Sequence, residues 1–210
     1  MTDNLNDFEA QAEADGGDLN LGFTKELIDE IRDTKEANPG MFVSAWQEDT
    51  EAAEEGNLEL VKVLLTETPD LINRHDADGY TALHRASYNN ENDVVACLLT
   101  SGANVDARTN EGWTPLHSAS NWANFECVGA LLTAGADVNA PSNGNLTALH
   151  LAVNSRAEEP EDVYRTVRYL LQAPGIDAGV IAGNGDTPLM MARRTSEQLY
   201  NAINDFLSRP

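Results

Sequence analysis

Four near-identical tetrapeptides recur along the chain: TALH at Thr81 to His84, TPLH at Thr114 to His117, TALH at Thr147 to His150 and TPLM at Thr187 to Met190. Their spacings are 33, 33 and 40 residues. A near-constant period of this length points away from a single globular core and towards a stacked array in which each unit touches its neighbours. Other positions keep the phase: Asn73, Asp106 and Asn139 each precede the next Thr by eight residues, and Gly79 and Gly112 by two.

The residues of one unit explain why it repeats. Thr114 can cap a helix through its hydroxyl, with Pro115 at the first helical position, where a missing N–H costs nothing. Leu116, Ala119 and Ser120 follow at helical spacing and give a short first helix with a small-residue face. A second helix repeats an apolar pair one turn apart: Leu60, Val61, Leu64 and Leu65, then Val94, Val95, Leu98 and Leu99, then Cys127, Val128, Leu131 and Leu132. Gly102 and Gly135 stand where a left-handed C-terminal cap is needed. One such unit cannot bury its apolar face alone, so the expected fold is an all-α solenoid.

GWTPLHSAS at Gly112 to Ser120, followed by CVGALLTAGADVNA at Cys127 to Ala140, resembles the ankyrin repeat, and the resemblance runs from about Phe42 to Leu207. It implies stacked helix-turn-helix units with β-hairpin loops, here at about 42–76, 77–109, 110–142, 143–182 and a capping 183–210. Two units depart from the pattern. The first lacks TPLH, and its leading helix reads through Ala45, Trp46, Ala52 and Ala53. The fourth carries extra residues, chiefly AEEPED at Ala157 to Asp162, with Pro160 expected to start a lengthened helix running to Leu171. Upstream, residues 1–22 have the acidic, polar composition of a disordered segment. Residues 23–40 read as an amphipathic helix on Phe23, Leu27, Ile28 and Ile31 with a linker at Asn38-Pro39-Gly40.

Composition then limits the function. Thirteen Lys and Arg against 35 Asp and Glu leave a formal charge of −22. This disfavours direct nucleic-acid binding, which relies on cations that displace counterions, and disfavours an anionic membrane for the same reason. No run approaches the ~20 apolar residues of a membrane span, and the acidic start differs from a signal or transit peptide. Cys97 and Cys127 lie in apolar runs and read as free thiols of a reducing compartment. The expected location is intracellular, in nucleus or cytoplasm or both; no classical basic import signal is present.

Three of the four histidines, His84, His117 and His150, share one repeat position. Metal ligands must converge on one atom, whereas these rings are spaced one repeat apart, so they read as structural groups tying repeats together. His75 has no partner placed by a recognisable motif. With no nucleophile–base pair, phosphate loop or zinc signature, the expectation is a non-enzyme without cofactor or metal. Function is then sought on the surface. Tyr80, Trp113 and Leu146 lie between the Gly position and Thr, while Tyr88, Asn121 and Trp122 follow the small pair of the first helix. Tyr80, Tyr88, Trp113, Asn121 and Trp122, flanked by Asp78, Arg85 and Glu111, form the candidate partner site, because aromatics and Arg dominate interface energetics; the ankyrin resemblance implies that they lie on the concave recognition face. The negative charge points to a protein partner with a basic segment, held by a monomer.

The family resemblance implies more. Asn139 in LLTAGADVNA stands at the position that asparaginyl hydroxylases modify in ankyrin repeats. GYTALHRASY, GWTPLHSASNWAN and ARRTS at Ala192 to Ser196 are similar to a small animal subgroup of the family, which implies a nuclear, transcription-associated scaffold and, more distantly, links to germ-cell development and autophagy. The alternative reading is a non-catalytic adaptor subunit or assembly chaperone of an enzyme complex.

Overall fold

The computed structural model describes residues 45–209. The expectations for residues 1–22 and 23–40 lie outside them. Among the described residues ten α-helices follow one another: α1 (Ala45–Glu54), α2 (Leu58–Glu67), α3 (Ala82–Asn89), α4 (Asn92–Thr100), α5 (Pro115–Asn121), α6 (Phe125–Thr133), α7 (Ala148–Val153), α8 (Pro160–Gln172), α9 (Pro188–Thr195) and α10 (Glu197–Leu207). A 3₁₀ turn, Pro69–Asn73, follows α2. Odd-numbered helices pack on one another in sequence, the even-numbered ones form a parallel row, and each odd helix also packs on the even helix after it. The result is a two-layer all-α solenoid. Among the described residues, no helix is long and apolar enough to cross a membrane.

Local chemistry sets the helix starts. Thr81, Thr114 and Thr147 sit in extended backbone before α3, α5 and α7 and form capping boxes with His84, His117 and His150 three residues on. Thr187 caps α9 through the N–H of Met190, without a histidine. Between the rows lies the core. Leu83, Leu98, Leu116, Leu131, Leu149 and Leu170 are fully buried, each contributing about 2 kcal/mol of apolar burial. Ala86, Ala119 and Ala152 have no exposed surface, so the first helices can approach closely. Gly102 and Gly135, with φ of 90° and 91°, end α4 and α6.

The connecting loops are tight turns, not regular strands. Among the described residues the extended pairing is one isolated antiparallel bridge, His75 with Thr81. Each loop closes on itself, Thr109 N–H to Trp113 O at 2.9 Å and Ser142 N–H to Leu146 O at 2.9 Å. It then hands a hydrogen bond to the loop before it, as Asn110 N–H to Asp78 O at 2.8 Å and Asn143 N–H to Glu111 O at 2.9 Å. Backbone donors spent between loops of successive repeats are unavailable for long two-stranded ladders. The insertion in the fourth unit lengthens α8 to 13 residues, against nine in α4 and α6, with Pro160 at its first turn.

Candidate partner-binding face

The three repeat histidines each bridge two units. Nδ1 of His84 accepts from the N–H of Thr81 at 3.2 Å, so the proton sits on Nε2, which donates to the carbonyl of Trp113 at 3.1 Å. His117 repeats this with Thr114 and with Leu146 O at 3.0 Å. His150 does so with Thr147 and, more weakly, Asp186 O at 3.4 Å. Both nitrogens of each ring are engaged, which leaves no lone pair for a metal. Burial holds the rings neutral: the pKa of His84 is pushed down to about 4, and those of His117 and His150 are lowered for the same reason. His75 sits apart, exposed, with Nδ1 2.9 Å from the carbonyl of Asp76.

The residues singled out for partner binding fall into two groups. Tyr80 and Trp113 are half-buried and lean on the histidines of their own units, Tyr80 edge-on to His84 at 5.6 Å and Trp113 tilted over His117 at 6.3 Å. Tyr88 and Trp122, from the ends of α3 and α5, meet each other instead: their centroids are 5.1 Å apart in a T-shaped contact, and they remain 42% and 38% exposed. Asn121 lies half-buried beside Trp122 at the end of α5. Beneath the pair, Asn124 donates to the carbonyls of Ser87 and Tyr88 at 2.8 and 2.9 Å, so the backbone under both rings is fixed.

Arg85 is committed internally. Its guanidinium lies 2.8 Å from Asp76 Oδ2 and 3.8 Å from Glu54, and 4.7 Å above the Tyr80 ring. Burial alone would raise the Asp76 pKa, but the Arg85 hydrogen bond and the N–H groups of Tyr80 and Asp78 hold it below the usual carboxylate range. Asp78 and Glu111 are exposed on the loop tips. Burial, followed by the negative charge of Glu111, raises the Tyr80 phenol pKa. The loop and first-helix surface therefore offers an exposed aromatic pair and open carboxylates, while its nearest cation is already neutralised.

Asn139 is a structural staple. Its side chain donates to Gly175 O and accepts from Asp177 N–H, both at 2.8 Å, and Asn73 and Asp106 play the same accepting role for Asn104 and Asp137. Cys127 is buried, with its thiol pKa pushed up to about 12 by burial. A second aromatic cluster, Phe125, Tyr164 and Tyr169 on the even-numbered helices, escaped the repeat comparison. Tyr164 and Tyr169 lie in the unit whose 40-residue spacing breaks the register; the arginines at Arg165 and Arg168 between them are the signal that could have found it.

Residues 50–142 match the family described as ankyrin repeats, in three copies. The chain is similar to proteins named ankyrin repeat domain-containing protein 49. It is 38% identical to the one from Drosophila melanogaster over 107 residues, covering 42% of this chain and 49% of that relative. The ones from Bos taurus and Homo sapiens are 48% and 45% identical over 58 residues, covering 28% of this chain and 24% of each relative. The chain thus spans about half the length of the fly relative and about a quarter of the two mammalian ones.

Proposed function

We propose that this chain, whose residues 50–142 match ankyrin repeats, which generally mediate protein–protein interaction, is a non-enzymatic scaffold whose loop and first-helix face holds a protein partner. The observation that carries this reading is the Tyr88–Trp122 pair, two large rings in contact and both more than a third exposed. Leaving such surface in water forgoes burial free energy that a partner would recover. The exposed loop-tip carboxylates Asp78 and Glu111, and the charge of −22, favour a basic segment in that partner, steered by long-range attraction. The names of the relatives add no partner. A nuclear, transcription-associated setting is part of the proposal, and so is Asn139 as a hydroxylation target.

Quantitative affinity capture from native cells tests it, comparing wild type with Trp122→Ala and with Tyr88→Ala. The reading requires one partner to be lost from both variants while their melting stays near wild type. Retention of every partner would refute it. Loss of a stoichiometric set of subunits of one complex would identify the chain as an adaptor subunit or assembly chaperone.

A further inference from the structure

The even-numbered helices carry a second surface, of different chemistry. Phe125 on α6 and Tyr169 on α8 stack with centroids 6.2 Å apart. Tyr169 is 46% exposed and seats its ring against Gly129, where a Cβ would stand 3.3 Å from the ring. The equivalent positions of α2 and α4 are Lys62 and Ala96. A mid-helix glycine costs about 1 kcal/mol relative to alanine, and here it lets an aromatic ring lie close to the α6 backbone. On one side of Tyr164 and Arg168 a groove of about 500 Å³ runs between α6 and α8. On the other side a smaller groove of about 210 Å³ runs between α8 and α10, ending at Phe206 and Arg209.

Three guanidiniums lie over rings on this surface: Arg165 over Phe125 at 5.2 Å, Arg168 over Tyr164 at 5.9 Å and Arg209 over Phe206 at 5.7 Å. Arg165 is matched by Glu161 at 3.4 Å and Asp162 at 3.7 Å. Arg168 and Arg209 are exposed, and no carboxylate among the described residues is recorded within ion-pair distance of either. In a chain with 35 acidic residues and 13 Lys and Arg, Arg168 and Arg209 line one groove, with Asp205 beside them, and each lies over an aromatic ring.

We propose that the grooves flanking α8 dock an acidic peptide segment of a protein partner, with its carboxylates on Arg168 and Arg209 and an apolar side chain against Phe125 and Tyr169. Guanidinium–carboxylate pairs give such a groove directional, charge-assisted hydrogen bonds, and the stacked rings supply the apolar anchor. The chain then has two docking surfaces with opposite charge preference, one in each helix layer, and this surface stands independently of the Tyr88–Trp122 reading.

Selection of a random phage-displayed peptide library on the full chain tests the proposal, with wild type, Trp122→Ala and the double variant Arg168→Glu/Arg209→Glu as baits. Acidic peptides bearing an aromatic or aliphatic residue are expected from wild type and from Trp122→Ala, and are expected to disappear from the double variant. A synthetic peptide from that class should lose about tenfold or more in affinity on the double variant and weaken as salt rises. Recovery of no acidic class, or its persistence on the double variant, overturns the proposal. Both arginines are exposed, so folding should survive; Arg168→Gln/Arg209→Gln repeats the comparison should the charge reversal perturb the melt.

Discussion

His84 Nε2 donates to the main-chain carbonyl of Trp113 at 3.1 Å while its Nδ1 accepts from the N–H of Thr81. One neutral ring thus caps the helix of its own repeat and holds the loop of the next. The arrangement requires imidazole rather than imidazolium, because a protonated Nδ1 could no longer accept.

Stability should therefore fall on acidification. The folded pKa of His84 is about 4, below the ~6.5 of an unfolded histidine. The unfolded chain takes up the proton first, and stability is lost as pH drops from about 6.5 towards about 4. His84 alone accounts for about 3 kcal/mol over that window, and His117 and His150 shift the same way. Asp49, whose pKa is raised by burial, acts in the opposite direction but is one group against three. Thermal melts should show a lower Tm at pH 5 than at pH 7, with a shallower slope for His84→Gln; a flat profile would contradict this.

Asp49 lies three residues before Ala52, as Leu83 lies three before Ala86, so a carboxylate occupies a leucine position. It is 1% exposed, its Oδ1 has no hydrogen-bond partner, and burial lifts its pKa to about 6. The ionised form is disfavoured in the folded chain, so the penalty is present above about pH 6 and fades as pH falls towards the ordinary carboxylate range. Asp49→Leu should raise stability by about 2 kcal/mol at pH 7.5, and by less at pH 5. Denaturant titrations at the two pH values would read the difference.

Gly79 and Gly102 separate backbone strain from packing. Both have positive φ, 87° and 90°, and an alanine at either is expected to cost about 1 kcal/mol for that alone. A Cβ on Gly102 meets open space, whereas on Gly79 it would lie 2.8 Å from the Thr109 Cα in the next loop. Gly79→Ala should therefore cost distinctly more than Gly102→Ala. Equal losses in chemical denaturation would show that the loops are not in close contact.

Removing the Asn139 side chain leaves Gly175 O and the N–H of Asp177 without their partner. Asn139→Ala should cost about 1–2 kcal/mol, concentrated at the junction of the third and fourth units. Amide exchange should accelerate at Asp177 well before it does at residues of α3; uniform acceleration would speak against a local staple.

The repeating architecture was legible in the residues because its determinants are local and recur in register. Thr at the cap, His three residues on, Gly after the second helix and Leu at the core positions each act through backbone geometry or burial that is alike in every unit. The same register located the bridging histidines and the positions of Tyr88 and Trp122. What each surface residue does depended instead on distances across repeats, which a linear pattern does not carry. Arg85 reads in the chain as a free cation beside aromatics; the fold brings Asp76 and Glu54 to it and uses it up. Tyr80, Trp113, Tyr88 and Trp122 look like one patch, yet two rings lean on buried histidines and two meet in the open. The grooves around α8 arise where the 40-residue unit breaks the period, so their partners come from neighbouring helices by packing, and packing is a property of the folded stack.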